Sequence, residues 1–399
     1  MFSTSAALLL ALTGVALLLH RIGMWATFRY AKRVHAPLPE QTLPPITLLK
    51  PIKGTEDGLA ENLRSFYAQD YPAPRQVVFT STDSGDPGMA VARRVAAEYP
   101  HVQTEFVFAR DDFGLNPKVS NMHGGLQRAR HDLLLQSDAN VRLSAGYLRR
   151  LVSLLVAERA SLVGGLVVGV GERSVGAVLE NLQLTAFTAP GVCMAKELAG
   201  VSCVLGKSML FYRSELEALG GLQRVKDVLA EDFALAQLYE QHGRRVVLAT
   251  ESVANVNIET PLRQFFGRHS RWLKMRAVMS APGFLGDLGS NPLPFALLAL
   301  AVSGFDPRLV PVALLVYVYK CAWDARLLKL LRGHGLGLAQ LWATPARDLA
   351  LCAIWIYALF SRTTYWRGRR LRLGPGGILI KDEGPLPLRL LRRFGLLRG

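Results

Sequence analysis

Residues Ala6 to Leu19 form an almost unbroken apolar run, and the basic residues beside it, His20-Arg21 and then Arg29, Lys32 and Arg33, all lie on its C-terminal side. As a signal peptide the run lacks a basic leading segment and a small-residue cleavage site. The positive-inside rule places its N-terminus outside and everything beyond about Trp25 in the cytoplasm. Extended to Met24, it approaches the roughly 20 residues that a span requires. Residues 1–25 are therefore expected to be an N-terminal membrane anchor.

Three further apolar runs lie at Leu293–Val302, Leu309–Ala322 and Leu349–Phe360, the first two joined by Gly304-Phe305-Asp306-Pro307. None reaches 18 clean residues, so each suits a tilted span or an interfacial or re-entrant helix. Basic residues flank the third run on both sides: Arg326, Lys329, Arg332 and Arg347 before it, and Arg362, Arg367, Arg369 and Arg370 after it. A full crossing would strand one cluster outside. The expectation is a hairpin at 290–323 and an in-plane or re-entrant 349–361, within a membrane-associated region 286–361. The net charge of +16 is unevenly placed, because 15 basic and only 4 acidic residues fall between Lys320 and Gly399. A basic tail, 362–399, beside apolar segments reads as a membrane-surface device on the cytoplasmic side and not as a nucleic-acid groove. At 50% hydrophobic residues, intrinsic disorder is excluded. Cys193, Cys203, Cys321 and Cys352 have neither metal-like spacing nor the density of a disulfide framework, and read as reduced, packed thiols.

Residues 44–285 read as an α/β domain. Short apolar or β-rich runs at 46–50, 76–82, 102–109 and 132–137 alternate with helical patterns at 59–68, 89–99, 119–130 and 145–157. This alternation predicts a parallel sheet. Later strands are expected near 161–168, 203–212 and 245–250, with helices near 233–241 and 261–279. Ligands in such sheets sit beyond the carboxyl ends of the strands, and the polar clusters of this chain fall there. No GxGxxG follows the first strand and no GxxxxGK[ST] occurs anywhere, which argues against dinucleotide oxidoreductases and P-loop NTPases.

Each cluster has two local readings. Asp138 and Asn140 form an Asp-x-Asn pair of oxygen ligands suited to a hard divalent cation, or a strand-end turn. Asp83 and Asp86 accept hydrogen bonds from a nucleotide, or cap the helix starting near Met89. Lys50, Lys53 and Lys118, the last in Asn116-Pro117-Lys118, place positive charge near a diphosphate, or are simply solvated. Glu231-Asp232 is a favourable acidic pair at a helix N-terminus, or holds a general base. Arg268, Arg271 and Trp272 lie on a basic amphipathic helix that fits a membrane surface or a diphosphate clamp.

Order and spacing say more than any one piece. Lys50-Pro51-Ile52-Lys53-Gly54, Asp83-x-x-Asp86-Pro87, Asn116-Pro117-Lys118, Ser137-Asp138-Ala139-Asn140, Ala230-Glu231-Asp232-Phe233 and Arg268-x-x-Arg271-Trp272 together resemble the processive-type inverting glycosyltransferases. More closely, the set is similar to the ceramide glucosyltransferases of family 21. The resemblance covers about 45–285 and extends loosely to the tail, Tyr365-Trp366-Arg367-Gly368, Leu371-Arg372-Leu373 and Gly376-Gly377. It implies a GT-A nucleotide-diphospho-sugar transferase domain between an N-terminal anchor and C-terminal membrane-associated helices. Asp86 matches the family's first aspartate, with Asp83 beside it in the nucleotide pocket. Asp138 matches the second, near metal and diphosphate, and Asp232 the third, the catalytic base. Arg268, Arg271 and Trp272 match the (Gln/Arg)-x-x-Arg-Trp motif. The implied chemistry is transfer of glucose from UDP-glucose to ceramide with Mg2+ or Mn2+, at the cytoplasmic face of a bacterial-type inner membrane. Animal members carry His-Pro in the stretch aligned with Thr188-Ala189-Pro190. Here the His is absent, which leaves the acceptor open. Rival readings are an aminosugar donor with a hopanoid or other bacterial lipid, a processive polysaccharide synthase, and a membrane-docked sugar-nucleotide scaffold without turnover.

Overall fold

Alternating side chains in the apolar runs between 46 and 256 face opposite sides of one eight-stranded sheet, and amphipathic helices cover both faces. The computed structural model describes residues 3–33, 38–39, 42–335, 337, 340–366 and 368–382. Arg367 and the end of the expected tail, 383–399, lie outside the described residues. In chain order, α1 (Thr4–Ala31) is followed by β1 (Ile46–Pro51), α2 (Leu59–Tyr67), β2 (Arg75–Ser81), α3 (Pro87–Ala97) and β3 (Gln103–Phe108). Then come α4 (Pro117–Leu126), β4 (Leu133–Gln136), the short β5 (Val141–Arg142) and α5 (Tyr147–Ala157). The domain continues through β6 (Leu162–Val170), α6 (Val175–Gln183), a π-helical turn (Leu184–Thr188), α7 (Ala189–Ala199), β7 (Met209–Tyr212) and α8 (Arg213–Ala218). It closes with α9 (Glu231–Gln241), β8 (Val246–Val256) and α10 (Leu262–Met279).

The strand order is β3-β2-β1-β4-β7-β6-β8-β5. β1 is an interior strand between β2 and β4, all six residues buried, as the near-continuous apolar run of a doubly covered strand should be. Leu48, Val77 and Leu135 join the layer formed with α2, α3 and α5. Their neighbours Leu49, Val78 and Leu134 join the opposite layer, with α4, α9 and the end of α1.

The sheet is mixed, not wholly parallel. β7 runs antiparallel to both β4 and β6, with Met209 opposite Gln136 and Tyr212 opposite Leu133. The reason lies in the preceding segment. Instead of a strand from 203, the chain crosses the ligand edge of the sheet at 204–208 and enters β7 from that edge. The helices at 175–199 are not among the expected elements, although Val175, Val178, Leu179 and Leu182 stand at helical spacing in α6.

Among the described residues, α1 and α14 (Ala343–Phe360) are long and apolar enough to cross a membrane. α11 (Ala281–Gly289) and α12 (Pro292–Val302) pass the same test together, as a pair bent by 59°. α13 (Val310–Arg332) completes the set. Their outer faces carry exposed Leu8, Leu18, Leu315 and Phe360, an apolar surface that water does not favour. α1 is longer than expected: Ala26 and Tyr30 reach the domain core, and the Tyr30 hydroxyl donates to the Leu248 carbonyl. Arg347, expected in an exposed basic flank, lies wholly inside. It pairs with Asp324 (2.9 Å) and Asp348 (2.5 Å), while Lys320 reaches Asp324 at 3.3 Å. Residues read as tail form an antiparallel sheet of β9 (Thr363–Trp366), β10 (Arg369–Leu373) and β11 (Leu379–Lys381). It docks beside the α9 approach, where Leu229 donates to the Gly377 carbonyl at 3.0 Å.

Candidate active site

Pro117 and Pro87 each open a helix behind a capping side chain, which sets both helix starts at the ligand edge of the sheet. At α4, the Asn116 carboxamide oxygen accepts from the Lys118 (2.9 Å) and Val119 (3.2 Å) amides. Its amide nitrogen donates to Glu231 at 3.1 Å, tying α4 to the start of α9. The cap thus aims Lys118 inward. Its Nζ meets Glu231 Oε1 at 2.9 Å, Asp138 Oδ1 at 3.0 Å and the Gly206 carbonyl at 3.0 Å.

Three chain segments close around that ammonium: the end of β4, the 204–208 crossing and the first turn of α9. The Asp232 carboxylate accepts from the Gly206 amide (2.5 Å) and from its neighbour Phe233 (2.8 Å). Gly206 allows this approach, because a Cβ there would lie 2.4 Å from Lys118 Nζ and 3.0 Å from Asp232 Oδ2. Lys207 spans Asp138 Oδ2 (3.0 Å) and Asn140 Oδ1 (2.8 Å). Beneath them, fully buried Lys50 lies 3.6 Å from the Phe66 ring centroid and donates to the Asp138 backbone carbonyl at 2.5 Å.

The electrostatics separate the two aspartates. Burial alone would raise the Asp138 carboxyl, but Lys118 and Lys207 outweigh it and hold the group well below the usual carboxylate range. Asp232 is pushed up to about 6, first by burial and then by adjacent Glu231, with Lys118 and the two backbone amides only partly opposing. Burial depresses Lys50 strongly. Lys118 is also penalised by burial, yet Asp138, Glu231 and Asp232 drive it above its ordinary value. One carboxylate is therefore kept ionised and the other is poised near neutrality, the division of labour expected of an ion-binding group and a proton acceptor.

A second cluster lies where β1 and β2 end. Asp86 accepts from the Gly88 amide at 2.8 Å, from the Gly54 amide at 3.0 Å and from the Ser81 hydroxyl at 3.3 Å. It is both a helix cap and the tie between two edge loops. Asp83 is exposed and pairs with Lys53 at 3.3 Å. Its carboxyl is lowered by the Gly85 amide and by Lys53.

The α10 residues form a third group. Arg268 donates to Glu180 at 2.8 Å, and His269 meets the same carboxylate at 3.1 Å. Burial opposes ionisation of Glu180, but His269 and Arg268 prevail and set it at about 2. Arg271 lies 5.6 Å from the Trp366 ring centroid. Trp272 stands edge-on to His269 and lines a cavity with Gln183, Phe187, Leu351 and Trp355, between the domain and α14.

Of the residues singled out from sequence, Asn116, Lys118, Asp138, Asn140 and Asp232 thus come together with Lys50 below them. Lys53, Asp83 and Asp86 form the neighbouring edge, and Arg268, Arg271 and Trp272 belong to α10. Sequence reasoning missed Gly206, Lys207 and Glu180. The signal for the first two was Gly206-Lys207-Ser208 interrupting an apolar run, which marks a close backbone approach more often than a strand. Among the described residues no three His, Cys, Asp or Glu side chains converge as a metal set. The Asp138–Asn140 oxygens do share one positive charge, the Lys207 ammonium. Two hard oxygen donors converging on a cation suit a divalent ion that completes its shell with phosphate and water.

The sequence model of the family described as "Glycosyl transferase family 21" matches residues 8–379. Ceramide glucosyltransferase 3 of Caenorhabditis elegans is 25% identical over 365 residues, 89% of this chain and 78% of that protein. Ceramide glucosyltransferase 1 of the same organism is 27% identical over 275 residues, 68% of this chain. The chain spans only 59% of that relative's length. Among solved structures, a mannosyltransferase from Pyrobaculum calidifontis, in complex with GDP-Man and Mn2+, superposes with a TM-score of 0.53 at 20% identity. The match covers 89% of this chain and 99% of that one, and the shared fold is GT-A.

Proposed function

The chain belongs to glycosyl transferase family 21, and from that premise we propose that it transfers glucose from UDP-glucose to a membrane lipid hydroxyl, with ceramide the acceptor. The observation that carries this reading is an ionised Asp138 beside an Asp232 raised to about 6 at the ligand edge, the first paired with Lys118 and the second accepting from the Gly206 amide, whose carbonyl holds the same ammonium. A sugar-nucleotide scaffold without turnover has no use for a carboxylate poised in that way.

In the proposed reaction Asp232 takes the acceptor's hydroxyl proton while that oxygen attacks the anomeric carbon. A positioned base contributes about 10²–10⁴-fold. Lys118 fixes positive charge beside the departing diphosphate, and Arg268 adds to it from α10. Asp138 and Asn140 would hold a divalent cation, which when bound supplies Lewis-acid neutralisation of charge on the leaving UDP. Asp86 shapes the nucleotide edge by holding the Gly54 loop, with Asp83, Lys53 and Asn116 alongside. Buried Lys50 supports Asp138 from below. Arg271 and Trp272 define the side of the site nearest α14.

Among the residues matched to the family no second carboxylate is left to act as nucleophile, and Glu231 beside them is engaged by Lys118 and Asn116. A single displacement inverts configuration, so an α-linked UDP-sugar should give a β-linked lipid. Incubating the purified full chain with UDP-glucose and ceramide should yield a monohexosyl lipid whose anomeric proton shows the large coupling of a β-linkage. An α-linked product would remove Asp232 as base. An N-acetylhexosaminyl product made only from the aminosugar donor would move the specificity to another sugar.

A lipid with two chains does not leave the bilayer readily, which accounts for an anchored enzyme. The same anchor sets the sidedness: the domain after α1 faces the cytoplasm. Single cysteines at exposed Arg110 and at Arg392, in a Cys-free background, should react with a membrane-impermeant maleimide only after spheroplasts are opened. Labelling of Arg110→Cys from outside would reverse the topology. Labelling of the Arg392 site alone would mean that α14 crosses the membrane.

A further inference from the structure

Lys207 lies on the 204–208 crossing, and its ammonium sits between Asp138 Oδ2 and Asn140 Oδ1, at 3.0 and 2.8 Å. Those are the two oxygens assigned above to a divalent cation, so the side chain stands where that ion would stand. Lys118, the other ammonium on Asp138, differs in kind. It has three partners on three segments, and its side chain is 11% exposed. The side chain of Lys207 is 21% exposed, and the two oxygens are its partners among the described residues. One lysine is locked into the fold, while the other can leave by rotating a flexible stem.

We infer that Lys207 is the built-in counter-ion of the cation site: it occupies the Asp138–Asn140 oxygens until donor and metal enter together, then turns to the donor's diphosphate. The inference rests on the assignment of Asp138 and Asn140 as cation ligands. Its physical basis is charge balance. With Lys207 in place, Asp138 lies between two ammonium groups, and a bare dication must displace one of them to bind. A metal arriving with a diphosphate brings enough negative charge to receive the displaced ammonium. Lys207 is thereby a positioning residue that makes metal entry conditional on donor.

The test uses the full chain in detergent and Mn2+ titrations followed by electron paramagnetic resonance, which reads binding and not turnover. Wild-type protein should bind Mn2+ weakly alone and at least about tenfold more tightly with UDP present. Lys207→Met should bind Mn2+ alone about tenfold more tightly than wild type, and should lose about tenfold in UDP affinity at saturating Mn2+. Lys207→Gln, neutral but polar, should shift both values in the same directions, which guards against a packing fault in the Met variant. Asp138→Asn separates the two assignments. If Asp138→Asn abolishes Mn2+ binding while wild type and both Lys207 variants bind Mn2+ equally, the inference about Lys207 is overturned and the cation site stands. Mn2+ affinity unchanged by Asp138→Asn would overturn the cation site, and the role of Lys207 with it.

Discussion

Asp232→Asn should cut kcat by at least about a hundredfold, the ordinary contribution of a general base, while leaving UDP-sugar affinity within a few-fold of wild type. The substitution keeps the shape of the side chain and removes its capacity to take a proton. It also turns an amide nitrogen toward one of the two backbone N–H groups that the carboxylate accepts. That mismatch costs about 1–3 kcal/mol of stability and must be separated from the catalytic loss by calorimetry of UDP binding. The pH profile supplies a second readout. The folded protein raises Asp232 to about 6, so the base is ionised above that value and wild-type turnover should fall as pH drops through it. In the Asn variant this acid limb should vanish from the residual rate. A near-normal kcat, or an acid limb that survives the substitution, would remove Asp232 from the chemistry.

Lys118→Met should be the most destabilising single change at the site, at about 3–5 kcal/mol in urea denaturation. Removing one partner from an enclosed ion network leaves the others uncompensated. Here Asp138, Glu231 and Asp232 would face one another with Lys207 as their nearest remaining ammonium. In wild type the Lys118 pKa is raised on folding, so its stabilising contribution is complete below the unfolded lysine value and is lost only as pH climbs through the folded one. It is therefore present throughout the neutral range. Asp138 behaves oppositely: its lowered carboxyl contributes above the unfolded value and loses that contribution as acid approaches the folded one. The variant should consequently be worse at neutral pH than near pH 5, where protonation of Asp232 relieves part of the uncompensated negative charge. Because Lys118 also holds Asp232 down, any activity that remains should have its acid limb above 6. A deficit below about 1 kcal/mol at neutral pH would show that the network carries little of the fold's stability.

What the sequence made legible was chiefly local. Asp138, Asp86 and Asn116 are readable because each follows a short apolar strand or precedes a proline that opens a helix, and those signals are complete within a few residues. The grouping of Asn116, Lys118 and Asp232 was legible only through the order of motifs, since 113 residues of chain lie between Lys118 and Asp232. The reversal of β7 was not legible, because strand direction depends on which edge the preceding loop crosses. Glu180 was invisible for a similar reason. A single acidic residue in an apolar helix gives no hint of its partners until α10 brings Arg268 and His269 against it. Arg347 misled, since a basic residue beside an apolar run looks like a flank whenever its two aspartate partners are out of sight.

Those aspartates also bear on how the chain reaches its final place. α13 contributes Lys320 and Asp324, and α14 contributes Arg347 and Asp348, two opposite charges from each. Entering hydrocarbon alone, either helix would carry charged side chains that cost about 2.5–3.5 kcal/mol each near a helix centre. Paired, they neutralise one another. Each helix holds one pair of its own, Lys320–Asp324 on α13 and Arg347–Asp348 on α14, and the Arg347–Asp324 contact ties the two helices together. A chain released before Arg347 and Asp348 are made would leave Asp324 without its Arg347 partner, so α13 should reach its final packing only after α14 has emerged.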